Sequence, residues 1–167
     1  FQVQAIQYIK EGYSVVVSAP TGAGKTLIAE EVMKDSLKEG KGVVYTAPIK
    51  ALSNQKFRDF SRLFPDKVGI ITGDVSTNPE SPLLIMTTEI FRNHLLEGSS
   101  RLLGKSWVIF DEIHYLDDID RGTVWEESLI LLPSHMRFLA LSATIPNVHS
   151  LAEWLRTIHH FPVKEIV

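Results

Sequence analysis

The chain has 167 residues, 44% of them hydrophobic and 22% charged, with a formal net charge of −3. That length and balance suit one soluble globular domain with a sizeable core and exclude a disordered or fibrous chain. The lack of cysteine excludes a disulfide framework and a thiolate metal site, and the mild negative charge excludes a globally basic nucleic-acid binder. Six histidines are present, but the pair His159-His160 has no partner ligands at metal spacing and reads as a surface pair. No apolar stretch is long enough to span a membrane and no signal peptide is visible, so an intracellular address is expected, cytoplasmic by default and nuclear in a eukaryote.

In chain order, a helix is expected over 2–11 and a buried strand over 14–18, from the apolar run Val15-Val16-Val17. Next comes Ala19-Pro20-Thr21-Gly22-Ala23-Gly24-Lys25-Thr26. Glycines let backbone wrap closely around phosphates and turn several N–H groups inward. Leu27, Ile28, Val32, Met33 and Leu37 recur at helical spacing, predicting a helix over 25–38 whose N-terminus favours an anion. Strand, glycine loop, Lys-Thr and helix form the P-loop arrangement. In it Thr21, Gly22, Ala23 and Gly24 cradle the phosphates of a nucleoside triphosphate, Lys25 reaches the β- and γ-phosphates, and Thr26 holds magnesium. Ala19 stands where the commonest pattern has glycine.

A strand over 43–46 then leads through Pro48 and Lys50 into a helix over 49–62. A strand over 68–71 ends at Thr72-Gly73-Asp74, which opens a turn-rich stretch from Gly73 to Pro82. A strand over 83–86 meets a helix over 88–96 at Thr87-Thr88-Glu89. In a parallel sheet all three junctions lie at the same edge as the P-loop. Hydroxyls and N–H groups at helix starts suit phosphate oxygens, although a threonine such as Thr88, followed by Ile90 and Phe91, has equally the pattern of a helix cap.

The apolar run Trp107-Val108-Ile109-Phe110, within a strand over 106–110, ends in Asp111-Glu112-Ile113-His114. This is the pattern of a central strand whose tip carries carboxylates at the ligand-binding edge. Asp111 would hold magnesium, directly or through water, and Glu112 would accept a proton from an attacking water or orient it. Adjacent acids at a strand end are common solvated turn residues; the P-loop beside them is what makes these two functional candidates. By itself His114 has the pattern of a loop residue. After a short helical turn, a helix is expected near 126–132, a strand over 137–141, a helix over 147–156 and a last strand over 162–166. Strands alternating with helices imply a doubly wound α/β domain, a mostly parallel sheet with helices on both faces, over residues 1–167.

Taken together the strings resemble the first RecA-like domain of a superfamily-two DExH-box helicase, in matching order and across essentially the whole chain. Phe1-Gln2 with Ala5-Ile6 resembles the adenine-reading Q motif. APTGAGKT resembles motif I, APIKAL motif Ia, TGD motif Ib, MTTEIF motif Ic, DEIH motif II and SAT motif III. Longer strings narrow the branch: Ala47 to Lys56, Thr72 to Val75 with Asn78-Pro79, Arg121 to Glu127, and Leu141 to Asn147 resemble the superkiller and exosome-cofactor RNA helicases. The related DNA-repair branch shares DEIH and the following Arg-Gly but usually lacks the Val-Trp-Glu segment.

The resemblance implies ATP and magnesium as cofactors, with Gln2 reading the adenine edge. It implies that Pro48, Lys50, Thr72, Gly73, Thr87 and Thr88 line a single strand of RNA, that Ser142 and Thr144 couple nucleotide state to that strand, and that His114 couples the pocket to a second RecA-like domain. That second domain, carrying arginine fingers, would belong to the same parent chain. Trp125 reads as core packing more readily than as a base-stacking platform. Because Phe1 opens inside a helix and the chain stops where a first domain should end, a fragment of a longer protein is expected. The function implied is ATP-driven, 3′-to-5′ unwinding of RNA, within an RNA-processing complex. Alternatives are the same unit of a DNA repair helicase or translocase, and a nucleotide-dependent RNA-binding switch or scaffold without unwinding.

Overall fold

The computed structural model describes residues 1–20, 24–113, 124, 127–143, 148–158 and 162–167. Eight strands form one sheet: β1 (Ser14–Ser18), β2 (Gly42–Ala47), β3 (Val68–Ile71), β4 (Ser76–Thr77), β5 (Leu83–Thr87), β6 (Lys105–Phe110), β7 (Arg137–Ser142) and β8 (Val163–Ile166). Among the described residues the longer helices that accompany them are α1 (Gln2–Lys10), α2 (Lys25–Lys38), α3 (Lys50–Leu63), α4 (Thr88–Glu97) and α5 (Val148–Ile158). The spatial order of the strands is β4-β3-β5-β2-β6-β7-β1-β8. Every pairing is parallel except β3 with β4.

Hydrophobic runs drive this arrangement. All five residues of β1 and all six of β2 are buried, as strands covered on both faces must be. Alternation then divides the core in two. Val15, Val17, Tyr45 and Ile109 face one side with Ala5 of α1, Ile28 and Val32 of α2 and Phe60 of α3. Val16, Val44, Phe110 and Phe138 face the other, with Phe91 of α4 and Leu155 of α5. Each fully buried side chain of this kind contributes about 1.5–3 kcal/mol. The α/β class and the helices on both sheet faces match the expectation from sequence. Residues 127–130 are helical, inside the segment expected near 126–132.

The expected turn-rich stretch from Gly73 to Pro82 is corrected in one respect: it contains β4, two exposed residues antiparallel to β3. A strand that short and polar leaves no periodic signal. Its return is close-packed. A Cβ added at Gly69 of β3 would lie 2.0 Å from the Asn78 carbonyl oxygen, so no larger residue fits there without moving backbone. Among the described residues no helix is long and apolar enough to cross a membrane.

All the chemistry-bearing junctions sit at the carboxyl ends of the parallel strands. Along that edge β3, β5 and β2 lie on one side of β6, while β7 and β1 lie on the other. With strands about 4.8 Å apart, β1 and β6 are separated by roughly 10 Å.

Candidate functional site

Four segments meet at the β6–β7–β1 end of the edge. β1 ends at Ser18, and the next residue, Ala19, donates its N–H to the Ser142 carbonyl at 3.1 Å, extending the β1–β7 ladder into the loop. Gly24, in the left-handed region at φ 85°, starts α2. Lys25 opens the helix and folds back, its Nζ donating to the carbonyls of Ala19 (2.7 Å) and Pro20 (3.0 Å). Thr26 follows in the first turn. The Gln2 carboxamide rests on the loop, Nε2 donating to the Gly24 carbonyl at 3.1 Å. A Cβ on Gly24 would meet that nitrogen at 2.2 Å. Gln2, Gly24, Lys25 and Thr26 are therefore gathered at one place, whereas Thr21, Gly22 and Ala23 lie outside the described residues.

The tip of β6 is held by β2. The Asp111 N–H donates to the Thr46 carbonyl at 2.9 Å. Its Oδ1 accepts the N–H of Glu112 at 2.9 Å, an Asx-type bond that supports the unusual φ of 59° at Glu112. Its Oδ2 accepts the hydroxyl of Tyr45. Tyr45 is 2% exposed, and its ring stands edge-on to Phe60 at 5.0 Å. Burial, and after it the nearby Asp111 carboxylate, push the phenol well above its ordinary range, so it remains a proton donor. Sequence reasoning missed Tyr45. The signal was a hydroxyl within the buried run Val43-Val44-Tyr45-Thr46, which had to find a partner; which partner depends on β2 lying beside β6.

At the tip of β7, Ser142 donates from Oγ to the Ala143 carbonyl at 2.7 Å, and Ser18 of β1 reaches the same carbonyl at 3.3 Å. Ser18 and Ser142 are in register, so the strand end before the P-loop is tied to the Ser-Ala-Thr string. Ser18 is a second residue that sequence reasoning missed. Thr144 and His114, both singled out from sequence, lie outside the described residues, as does Trp125.

Magnesium fits the donors here. A threonine hydroxyl and an aspartate carboxylate are hard oxygen ligands, and magnesium typically takes one or two protein carboxylates, with waters and substrate phosphates completing its shell. Consistently, no group of three or more His, Cys, Asp or Glu side chains among the described residues could form an all-protein cage.

Across β6, the ends of β2, β5 and β3 bring Pro48, Lys50, Thr72, Gly73, Thr87 and Thr88 onto adjacent strands. Lys50 and Gly73 are exposed and close: a Cβ on Gly73 would stand 3.6 Å from Lys50 Nζ. Lys50 pairs with Asp74 at 2.8 Å. Thr72 Oγ1 accepts the N–H groups of Asp74 (3.3 Å) and Val75 (3.2 Å). The helix cap is Thr87, whose Oγ1 accepts the Ile90 N–H at 3.4 Å; the cap pattern read at Thr88 belongs one residue earlier. Thr72, Thr87 and Thr88 are each largely buried, at 7%, 7% and 9% exposure, so any strand laid here meets hydroxyl tips and backbone rather than whole side chains.

Residues 1–151 match the DEAD/DEAH box helicase family. The chain is 52% identical over 162 residues to "ATP-dependent RNA helicase mtr4" of Schizosaccharomyces pombe, a match covering 97% of this chain and 14% of that protein. It is 50% identical over 156 residues to "Antiviral helicase SKI2" of Saccharomyces cerevisiae, covering 93% of this chain and 12% of that protein. It thus spans a small part of the length of the curated relatives it matches. The crystal structure of the DUF1998 helicase MrfA superimposes with a TM-score of 0.78 at 22% identity, over 99% of this chain and 29% of that one, which shows a shared fold.

Proposed function

Since this chain belongs to the DEAD/DEAH box helicase family, we propose that it is the ATP-binding, RecA-like unit of a larger RNA helicase. ATP hydrolysis at the β1 and β6 tips then drives movement along RNA held at the β2, β5 and β3 tips. The observation that carries this reading is the shared edge: Lys25, Thr26, Asp111 and Glu112 lie along one rim of the sheet with Pro48, Lys50, Thr72 and Gly73.

In this reading Lys25 leaves the Ala19 and Pro20 carbonyls for the β- and γ-phosphates. Gln2, already at Gly24, selects adenine. Thr26 and Asp111 would hold magnesium, which would supply neutralising charge at the phosphates. Glu112 orients the attacking water and accepts its proton. Ser142, Thr144 and His114 carry the nucleotide state to the RNA side and to a second RecA-like domain of the same parent protein, whose arginine fingers complete the pocket. Contacts to RNA run to sugar and phosphate, so sequence preference is slight. RNA rather than DNA is supported by the relatives at 50–52% identity, which carry helicase names, "RNA helicase" among them. An RNA-processing assembly inside the cell and 3′-to-5′ polarity belong to the same proposal, and rest on the resemblance of the strings Ala47 to Lys56 and Leu141 to Asn147 to the superkiller and exosome-cofactor branch.

The test uses the full-length protein on RNA and DNA duplexes with a 3′ or a 5′ overhang. RNA-stimulated ATPase and unwinding of the 3′-tailed RNA duplex are expected. Glu112→Gln should abolish turnover and spare ATP binding, whereas Lys25→Ala should weaken binding as well. Full activity in Glu112→Gln, or unwinding of DNA with none of RNA, would sink the proposal.

A further inference from the structure

Tyr45 has no part in the reading above, yet its hydroxyl touches the magnesium-binding carboxylate from a neighbouring strand. Strands β2 and β6 are parallel, with Tyr45 opposite Ile109. Because side chains alternate, Asp111, two residues beyond Ile109, points to the same face as Tyr45, at the diagonal distance that only a long side chain spans. The phenol is held on its other side by Phe60 of α3, itself 1% exposed, so the ring has a fixed direction. A hydroxyl in such a strand is costly unless it is bonded, and phenylalanine would fill the same space without that cost.

The consequence falls on Asp111. Its terminal torsion is intrinsically broad. Here one oxygen is held by the Glu112 N–H and the other by the Tyr45 O–H. Two donors on two oxygens fix the carboxylate plane, and each oxygen keeps a lone pair for a metal ion or its water. We propose that Tyr45 is a positioning residue, its hydroxyl setting the rotamer of Asp111 so that the carboxylate meets magnesium without reorganising. This rests on the assignment of Asp111 as a magnesium ligand.

Groups that orient metal ligands typically change metal affinity or activity by about 10- to 100-fold when removed. The experiment compares wild type, Tyr45→Phe and Asp111→Asn in the full-length protein. Manganese binding to the protein–ADP complex is measured by electron paramagnetic resonance, beside kcat, the KM for ATP and the midpoint of thermal unfolding. Tyr45→Phe is expected to weaken manganese binding about tenfold or more and to lower kcat to a similar extent. RNA affinity and the unfolding midpoint should stay close to wild type, which a role confined to packing would not predict. Manganese affinity and kcat within twofold of wild type in Tyr45→Phe, while Asp111→Asn loses both, overturns the proposal. Unchanged manganese binding in Asp111→Asn overturns the assignment of Asp111 itself, and with it any role for Tyr45 through that residue.

Discussion

Two lysines at the sheet edge are already engaged, and in different ways. Lys25 lies against two carbonyls of its own loop, and in the proposed reading a phosphate would displace them because it sets a full negative charge, not a carbonyl dipole, against the ammonium. Lys50 is paired with Asp74, both side chains being more than half exposed. A pair of that kind stabilises the fold by about 0–1 kcal/mol, but the acid opposes any phosphate brought to Lys50. Asp74→Asn should therefore tighten RNA binding by about two- to fivefold at low salt, with the gain fading as ionic strength rises and thermal stability unchanged. Fluorescence anisotropy with a short single-stranded RNA reads the effect; weaker binding in the variant would remove Lys50 from the RNA path. That Lys25, Thr26, Asp111 and Glu112 share one sheet edge was legible in the sequence, because each stands in a local string directly after or near a strand end. Tyr45 and Ser18 were not legible there, because each acts through a partner, Asp111 or Ala143, brought near by strand pairing rather than by sequence.

At the scale of elements, strands and helices announced themselves by periodicity wherever they ran four residues or more. β1 and β2 read as unbroken apolar runs because both faces of the sheet are covered. β4 escaped notice because two exposed residues carry no period. Its position is fixed instead by Gly69, whose missing side chain admits the Asn78 backbone. Gly69→Ala places a methyl where a carbonyl stands, and overpacking of this kind costs about 1–3 kcal/mol. Urea denaturation of the variant should show that loss as a lower midpoint at unchanged slope. Since β3 leads directly to Thr72-Gly73, RNA affinity should fall in parallel while ATP binding holds. A variant as stable as wild type would mean that the β3–β4 return moves freely, contrary to the close approach at Asn78.

For the whole molecule, the alternation of strands and helices specified a doubly wound sheet but left the order of strands open. Order is a matter of non-local pairing: β2 crosses to the far side of β6 and β7 from β1, which separates the proposed nucleotide site from the proposed RNA path along the rim. The same topology has a consequence in time. β1, residues 14–18, leads into the proposed phosphate loop, yet its hydrogen-bonding partners β7 and β8, residues 137–142 and 163–166, lie far behind it in order of synthesis. A ribosome releasing this chain exposes Val15-Val16-Val17 long before anything can pair with it, and pairing at such separation is slow. A chain ending at residue 136 should aggregate on expression and bind no nucleotide, despite holding every residue of the P-loop and of Asp-Glu-Ile-His; soluble, nucleotide-binding material from it would contradict this order of events. The proposed ATP loop is synthesised more than a hundred residues before the strand that pairs beside it, so during translation the nascent chain depends on whatever shields a bare apolar strand until β7 and β8 emerge.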